Sequence, residues 1–349
     1  MSVSRLPLLL VAPALAAALG ASGSTAPAGS RASSFRLWFR GAVGSSATIR
    51  MELAREGDRL TGRYYHETRG KDLALAGTVR EDGTAECEET AGRQVTGTFR
   101  GKLVERAGTP PLLAFEGSWS RPGGSSAIPF AVVEESPQLP AEFRPLADVA
   151  RQKFANGGSA EAVFPRIAGT RAPGVVELNA LVREAVTKAI ADDGRREIRV
   201  SYAWDHLSAD LASVALSTWV YDGVSHGSQV VSSVNVDLRT GRAFRALDLF
   251  RPGPDGPARL SRACVARLKE RLGPEADARW IEQGAAPGGA AYGNAGVSAA
   301  GVVVRFPPSS VAPWASGAQE VTVPWEELSA VLLPESPVSP LVAARLAPL

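Results

Sequence analysis

From Phe35 to Glu134 apolar and polar positions alternate with period two, as in strands with one buried face. Ile49, Met51 and Leu53 share a face, Glu56-Gly57-Asp58 turns the chain, and Leu60–His66 returns. Leu73–Val79, Thr84–Thr90, Val95–Val104, Leu112–Ser120 and Ala127–Val133 follow, separated by further turns. About eight short strands at this spacing predict an all-β antiparallel barrel or sandwich over residues 35–135. Four segments, Thr61-Gly62-Arg63-Tyr64, Ala76-Gly77-Thr78-Val79, Thr96-Gly97-Thr98-Phe99 and Glu116-Gly117-Ser118-Trp119, each set a glycine two residues before a bulky side chain. Glycine weakens a strand unless the strand bends sharply or another backbone comes close, and a small closed barrel needs such places.

Pro137 and Pro140 mark residues 136–140 as a linker, and the pattern then changes. Ala141–Ala155 reads as a helix. Val175, Leu178, Val182, Ala185 and Ala189 put one apolar face on a second helix that starts after Pro173 and stops at Gly194. Ile198–Trp204, Val214–Val220 and Val230–Leu238 alternate as strands, with Asp222-Gly223 in the turn between the last two. A helix is predicted over Ala258–Leu272, a mobile loop over the Gly/Ala-rich Gly284–Gly296, strands over Val297–Phe306 and Gln319–Val323, and a helical turn or two over Trp325–Leu332. Grouped rather than alternating strands and helices predict an α+β domain with a mainly antiparallel sheet and packed helices over residues 141–335, followed by a tail at 336–349.

The N-terminus changes the picture of where this protein works. Arg5, the apolar run Leu6–Leu19 and the small residues of Ala18-Leu19-Gly20-Ala21 read as a cleaved secretory signal over residues 1–21, with residues 22–34 a flexible lead-in. The run falls short of the roughly 20 residues a membrane helix needs, and no cysteine follows it as a lipid acceptor. The expectation is a periplasmic or secreted protein without a stable membrane anchor. The chain has 33 Arg against 5 Lys, yet residues 35–135 carry 14 basic and 14 acidic side chains and residues 136–349 carry 22 of each. Neither region has the basic excess that binding a phosphate backbone demands, so nucleic acid is not an expected partner. Cys87 and Cys264 are the only cysteines. An exported protein meets an oxidising compartment, which allows a Cys87–Cys264 bridge. Leu260, Cys264, Leu268 and Leu272 recur every fourth residue, however, which places the Cys264 thiol on a buried helical stripe and argues against one.

Several stretches of the second half carry a family likeness. They are Val163-Phe164-Pro165-Arg166-Ile167-Ala168-Gly169 with the Asn179-bearing helix, Ala215–Tyr221 leading to Ser225-His226-Gly227, Val236–Arg242 with Leu247-Asp248-Leu249-Phe250, and Arg305-Phe306-Pro307-Pro308 through Val311–Gly317 to Val323-Pro324-Trp325. In this order they resemble the RsiV/PdaC-type extracytoplasmic domain, a domain of unknown function, over roughly residues 160–332. That resemblance implies a module outside the membrane, of the kind found in lysozyme-sensing anti-sigma factors and beside polysaccharide deacetylase domains. The chain has neither a sigma-binding segment nor a deacetylase domain, so those two roles do not carry over. The glycine rhythm of the first half is similar to that of avidin-type and lipocalin-type barrels.

Catalytic chemistry is not visible in these residues. Ser225 and His226 are adjacent, so on a strand they would face opposite sides, and no nucleophile elbow occurs. His66, His206 and His226 are scattered without metal-ligand spacing, which predicts no metal and no cofactor. Glu86, Glu88 and Glu89 form an acidic patch on one strand, with Glu86 and Glu88 on a solvated face. The loops Gly284–Gly296 and Phe306–Gly317 flank a predicted strand and are expected at its opposite ends. Tyr221, His226 and Tyr292 are then the candidate partner-binding residues, Tyr292 as an aromatic handle in a mobile loop. The expected function is a non-enzymatic envelope protein that recognises an extracytoplasmic protein, a lysozyme-like one in particular, or a cell-wall glycan. The alternatives are a cell-wall hydrolase or esterase with an unrecognised carboxylate site, or a small-molecule carrier using the barrel. Oligomeric state is not encoded in any of these signals.

Overall fold

The computed structural model describes residues 34–45, 47–107, 111–191, 196–223 and 227–347. The chain divides between Gln138 and Leu139 into two compact units. The signal segment, Gly194, Ser225 and His226 lie outside the described residues.

The first unit is a closed barrel of eight antiparallel strands in sequence order. They are β1 (Ser34–Val43), β2 (Ala47–Glu56), β3 (Arg59–His66), β4 (Leu73–Val79), β5 (Thr84–Ala91), β6 (Gln94–Arg106), β7 (Leu112–Ser120) and β8 (Ala127–Glu134), with β8 pairing back to β1. The period-two pattern delivers its apolar set inward, where Ile49, Met51, Leu53, Leu60, Phe99, Phe115 and Val132 are buried. Tyr64, Phe99, Phe130 and Phe115 meet edge to face, with successive centroids 5.2, 4.9 and 4.8 Å apart, and fill the middle of the barrel. The glycine rhythm answers to close approach. A Cβ at Gly77 would run into the Glu86 carbonyl of the neighbouring strand, and one at Gly117 into Arg100 and Gly101. Small residues are needed there because the neighbouring strand's backbone comes too close to leave room for a side chain.

In the second unit a six-stranded sheet runs in the order β14 (Arg242–Phe244), β13 (Ser228–Asp237), β12 (Leu211–Tyr221), β11 (Glu197–Leu207), β10 (Ser159–Ala168), β9 (Arg144–Lys153). Every pair is antiparallel except β10 with β11, which the helix α1 (Pro173–Ile190) connects. Val175, Leu178, Val182 and Val186 of α1 cover Ile198, Val200, Val214, Leu216 and Val236 of the sheet. Asn179 fixes this helix: its amide accepts from the Ile167 N–H at 2.9 Å and donates to the Ile167 carbonyl at 2.8 Å.

A second core forms around α2 (Asp255–Leu272), α3 (Ala278–Gly284), α4 (Ala290–Gly293) and a three-stranded sheet of β15 (Gly296–Val297), β16 (Gly301–Phe306) and β17 (Gln319–Pro324). The short helix α5 (Trp325–Leu328) closes it with the buried Trp325, and α6 (Ser339–Leu346) ends the chain's helices. Leu260, Cys264 and Leu268 lie buried on one stripe of α2, as the four-residue rhythm predicts. The two sheets of this unit are tied together by Arg305 on β16, which holds Asp205 of β11 through two nitrogens at 2.9 and 2.5 Å. Among the described residues no helix is long and apolar enough to cross a membrane.

Three expectations are corrected here. Residues 141–155 do not form a helix: β9 occupies Arg144–Lys153 and pairs along its length with β10. Pro145 sits at the start of this edge strand, where its missing N–H does no harm, and the open side of β10 supplies ten cross-strand partners. Val297–Phe306 is not one strand, because Ser298 accepts hydrogen bonds from the Ala300 and Gly301 N–H groups and folds the chain into a tight hairpin. The segments around Gly284 and Ser310 do not lie apart either; a Cβ at Gly284 would run into the Ser310 carbonyl.

Candidate functional site

The ends of β3, β5 and β7 and the starts of β4 and β6 meet at one mouth of the barrel, where a cavity of about 300 Å³ opens above the aromatic plug. Inward-facing positions on neighbouring strands build its wall: Tyr64 and His66 from β3, Leu73 from β4, Glu89 from β5 and Trp119 from β7. Glu89 continues the inward series Ala85, Cys87, Glu89, so it is only 4% exposed, while Glu86 and Glu88 on the other face are exposed as predicted.

A buried carboxylate needs donors, and three converge on Glu89. The Tyr64 hydroxyl donates to Oε2 at 2.6 Å and the Trp119 indole N–H to the same atom at 2.8 Å. The Thr96 hydroxyl donates to Oε1 at 2.5 Å. Thr96 reaches it because the register between β5 and β6 shifts just after Glu89, leaving Thr96 opposite no residue of β5. Gly97, paired with Glu89, makes room for the indole: a Cβ there would lie 2.6 Å from Cε2 of Trp119. A carboxylate has about four lone-pair sites, so a further acceptor position on Oε1 remains for a ligand hydroxyl or amide.

Burial, followed by the hydrogen bond to Glu89, pushes the Tyr64 phenol well above its ordinary range and keeps it a donor. His66 lies edge-on to Tyr64 with centroids 5.7 Å apart. Burial, reinforced by Arg69, lowers the His66 pKa and favours the neutral ring at neutral pH. Arg69 comes from the turn after β3, where the Arg69 and Gly70 N–H groups both donate to the His66 carbonyl and curl the chain over the mouth. Lys71 and Arg121 complete the rim.

The residues singled out from the sequence are not gathered here. Tyr292 is a core residue, 1% exposed: α4 folds its ring onto Phe306 with centroids 6.2 Å apart, and its hydroxyl donates to the Ala285 carbonyl at 2.7 Å. Its burial leaves no exposed aromatic handle for a partner, and Gly284–Gly296 carries the short helix α4 between turns. Tyr221 is half-buried at the end of β12 and stacks on Trp219 at 5.7 Å, with Arg199 over the Trp219 ring. His226 lies outside the described residues. Cys87 and Cys264 are both free and buried. Trp314 is 48% exposed on a turn at Trp314–Ser316, and Trp280 is half-buried. Among the described residues no three of His, Cys, Asp and Glu are grouped so as to hold a metal ion.

No curated protein matches this chain. Two solved structures are similar in part: a member of the DUF3298 family from Bacteroides fragilis NCTC 9343 and a DUF3298 family protein from Pseudomonas aeruginosa PAO1. The first is 14% identical over 58% of this chain and 97% of its own, with a TM-score of 0.44. The second is 13% identical over 55% of this chain and 95% of its own, also at 0.44. Residues 247–326 match the family described as a protein of unknown function (DUF3298), so the second unit carries a DUF3298 domain over that stretch.

Proposed function

We propose that this chain is an exported, non-enzymatic binding protein of the bacterial envelope, and that its barrel receives a small polar ligand such as a cell-wall glycan fragment. The observation that carries the reading is the open cavity at the barrel mouth, with Glu89 buried in its wall and oriented by Tyr64, Trp119 and Thr96. A carboxylate held by three donors, with one acceptor position left on Oε1, is a fixed acceptor suited to orienting a ligand. Export is supported by the signal-like N-terminus, and the envelope setting by the likeness of residues 160–332 to the RsiV/PdaC-type domain. Calorimetric titration of the chain with muropeptide fragments tests it. Binding that is lost in Glu89→Gln and Trp119→Ala supports the reading; binding unaffected by both, or no binding, refutes it.

A second reading places a lysozyme-like protein on the second unit, favoured by the exposed Trp314 in its proline-flanked segment. Titration with c-type lysozyme against Trp314→Ala separates it from the first.

A further inference from the structure

We infer that the ligand of the barrel cavity is a sugar-sized molecule bearing an oxyanion, a carboxylate or a phosphate, which sits among Arg69, Lys71 and Arg121 while its hydroxyl or amide hydrogens reach Glu89. This inference rests on the barrel mouth being a binding site and adds the ligand's chemistry. Several barrel arginines are matched to acids: Arg36 and Arg63 bond Glu52, Arg40 bonds Glu67, Arg100 bonds Glu86, and Arg50 bonds Glu135. Others, such as Arg59, Arg80 and Arg93, have no acid partner among the described residues but do not line the cavity. Arg69, Lys71 and Arg121 all line the cavity, and among the described residues none of them is in an ion pair. They come from two different loops, so their convergence is a property of the mouth and not of one basic run in the sequence.

The charges are arranged in depth. The carboxylate is buried in the wall and already satisfied by neutral donors, while the three cations are exposed at the rim. A ligand with one anionic group and several hydroxyls matches both levels, with guanidinium forks for the oxyanion and a Glu89 lone pair for a hydroxyl. Trp119 adds an aromatic surface of the kind on which sugar C–H faces rest. The cavity volume of about 300 Å³ is at the lower end for ligand pockets and suits one or two sugar rings.

The test titrates the full chain, at low and at high salt, with N-acetylmuramic acid, glucose 6-phosphate and neutral N-acetylglucosamine. The expected result is about ten-fold tighter binding of at least one acidic sugar than of the neutral one, a preference that salt erodes. Which acid binds tells carboxylate from phosphate. The triple variant Arg69→Gln, Lys71→Gln, Arg121→Gln changes only exposed side chains and should bring the acid down to the affinity of the neutral sugar with the melting temperature unchanged. Equal binding of acidic and neutral sugars, lost in Glu89→Gln, would overturn the anion inference and leave the binding site standing. Binding of none of the three would overturn both, and so would binding indifferent to Glu89→Gln.

Discussion

The indole of Trp119 lies against Gly97, so closely that a Cβ at position 97 would come within 2.6 Å of Cε2. The two residues are on neighbouring strands, and the contact sets the tilt at which the indole N–H reaches Glu89. Gly97→Ala should therefore dislodge Trp119 and cost about 1–3 kcal/mol, as overpacking does in a closely packed site. Denaturant unfolding followed by circular dichroism reads the loss. A variant as stable as the parent, with unchanged tryptophan fluorescence, would show that the strand yields and the ring stays.

Asn179 spends both ends of its amide on the backbone of Ile167. Asn179→Leu leaves an N–H and a carbonyl without these partners beside α1, and the expected loss is about 1–3 kcal/mol. Asn179→Asp keeps only the acceptor and should fall between the two. The ordering of the three unfolding midpoints is the measurement.

Period two made the barrel legible, because a barrel strand has one buried and one solvated face. The same rule assigns Glu89 to the inner face with Cys87, yet beside Glu88 it reads as part of an acidic surface patch. What makes Glu89 a site is the register shift that aims Thr96 at it and the turn that carries Arg69 over the mouth. Neither has a sequence signature, since both depend on cross-strand register and loop closure. Tyr292 fails as a prediction for the opposite reason. Its Gly/Ala-rich flanks look like loop, but small residues there allow close packing, with Ala285 and Ala295 fully buried. For Arg144–Lys153 local pattern favoured a helix, and pairing with β10 prevails because strand formation is decided by the neighbour.

Cys87 and Cys264 should resist thiol reagents in the native protein. Burial pushes both thiols up to about 12, which at pH 8 leaves roughly one thiolate in ten thousand. A colorimetric thiol assay should find no reactive group under native conditions and two after denaturation in guanidinium. One or two fast thiols in the native state would contradict their burial.

His206 should make the second unit sensitive to acid. It is 6% exposed, its Nε2 has no hydrogen-bond partner, and burial lowers its pKa to about 4. In the unfolded chain an imidazole takes up its proton near pH 6.5, whereas the folded one holds out until about 4. Between these values the unfolded state binds more protons, so stability is fully present above pH 6.5 and falls as the pH drops toward 4. The size of the loss is roughly 3 kcal/mol if the whole shift is realised. Carboxylates contribute to acid unfolding as well. Asp248, held low by its hydrogen bonds from Arg245, loses its share only in more acidic solution and does so equally in a His206 variant. The comparison of wild type with His206→Leu across pH 7 to 4 therefore isolates the imidazole: the wild-type curve should decline through this window and the variant's should stay flatter. Parallel curves would show that the ring is hydrated or protonated in the folded state, and that its burial carries no acid sensitivity.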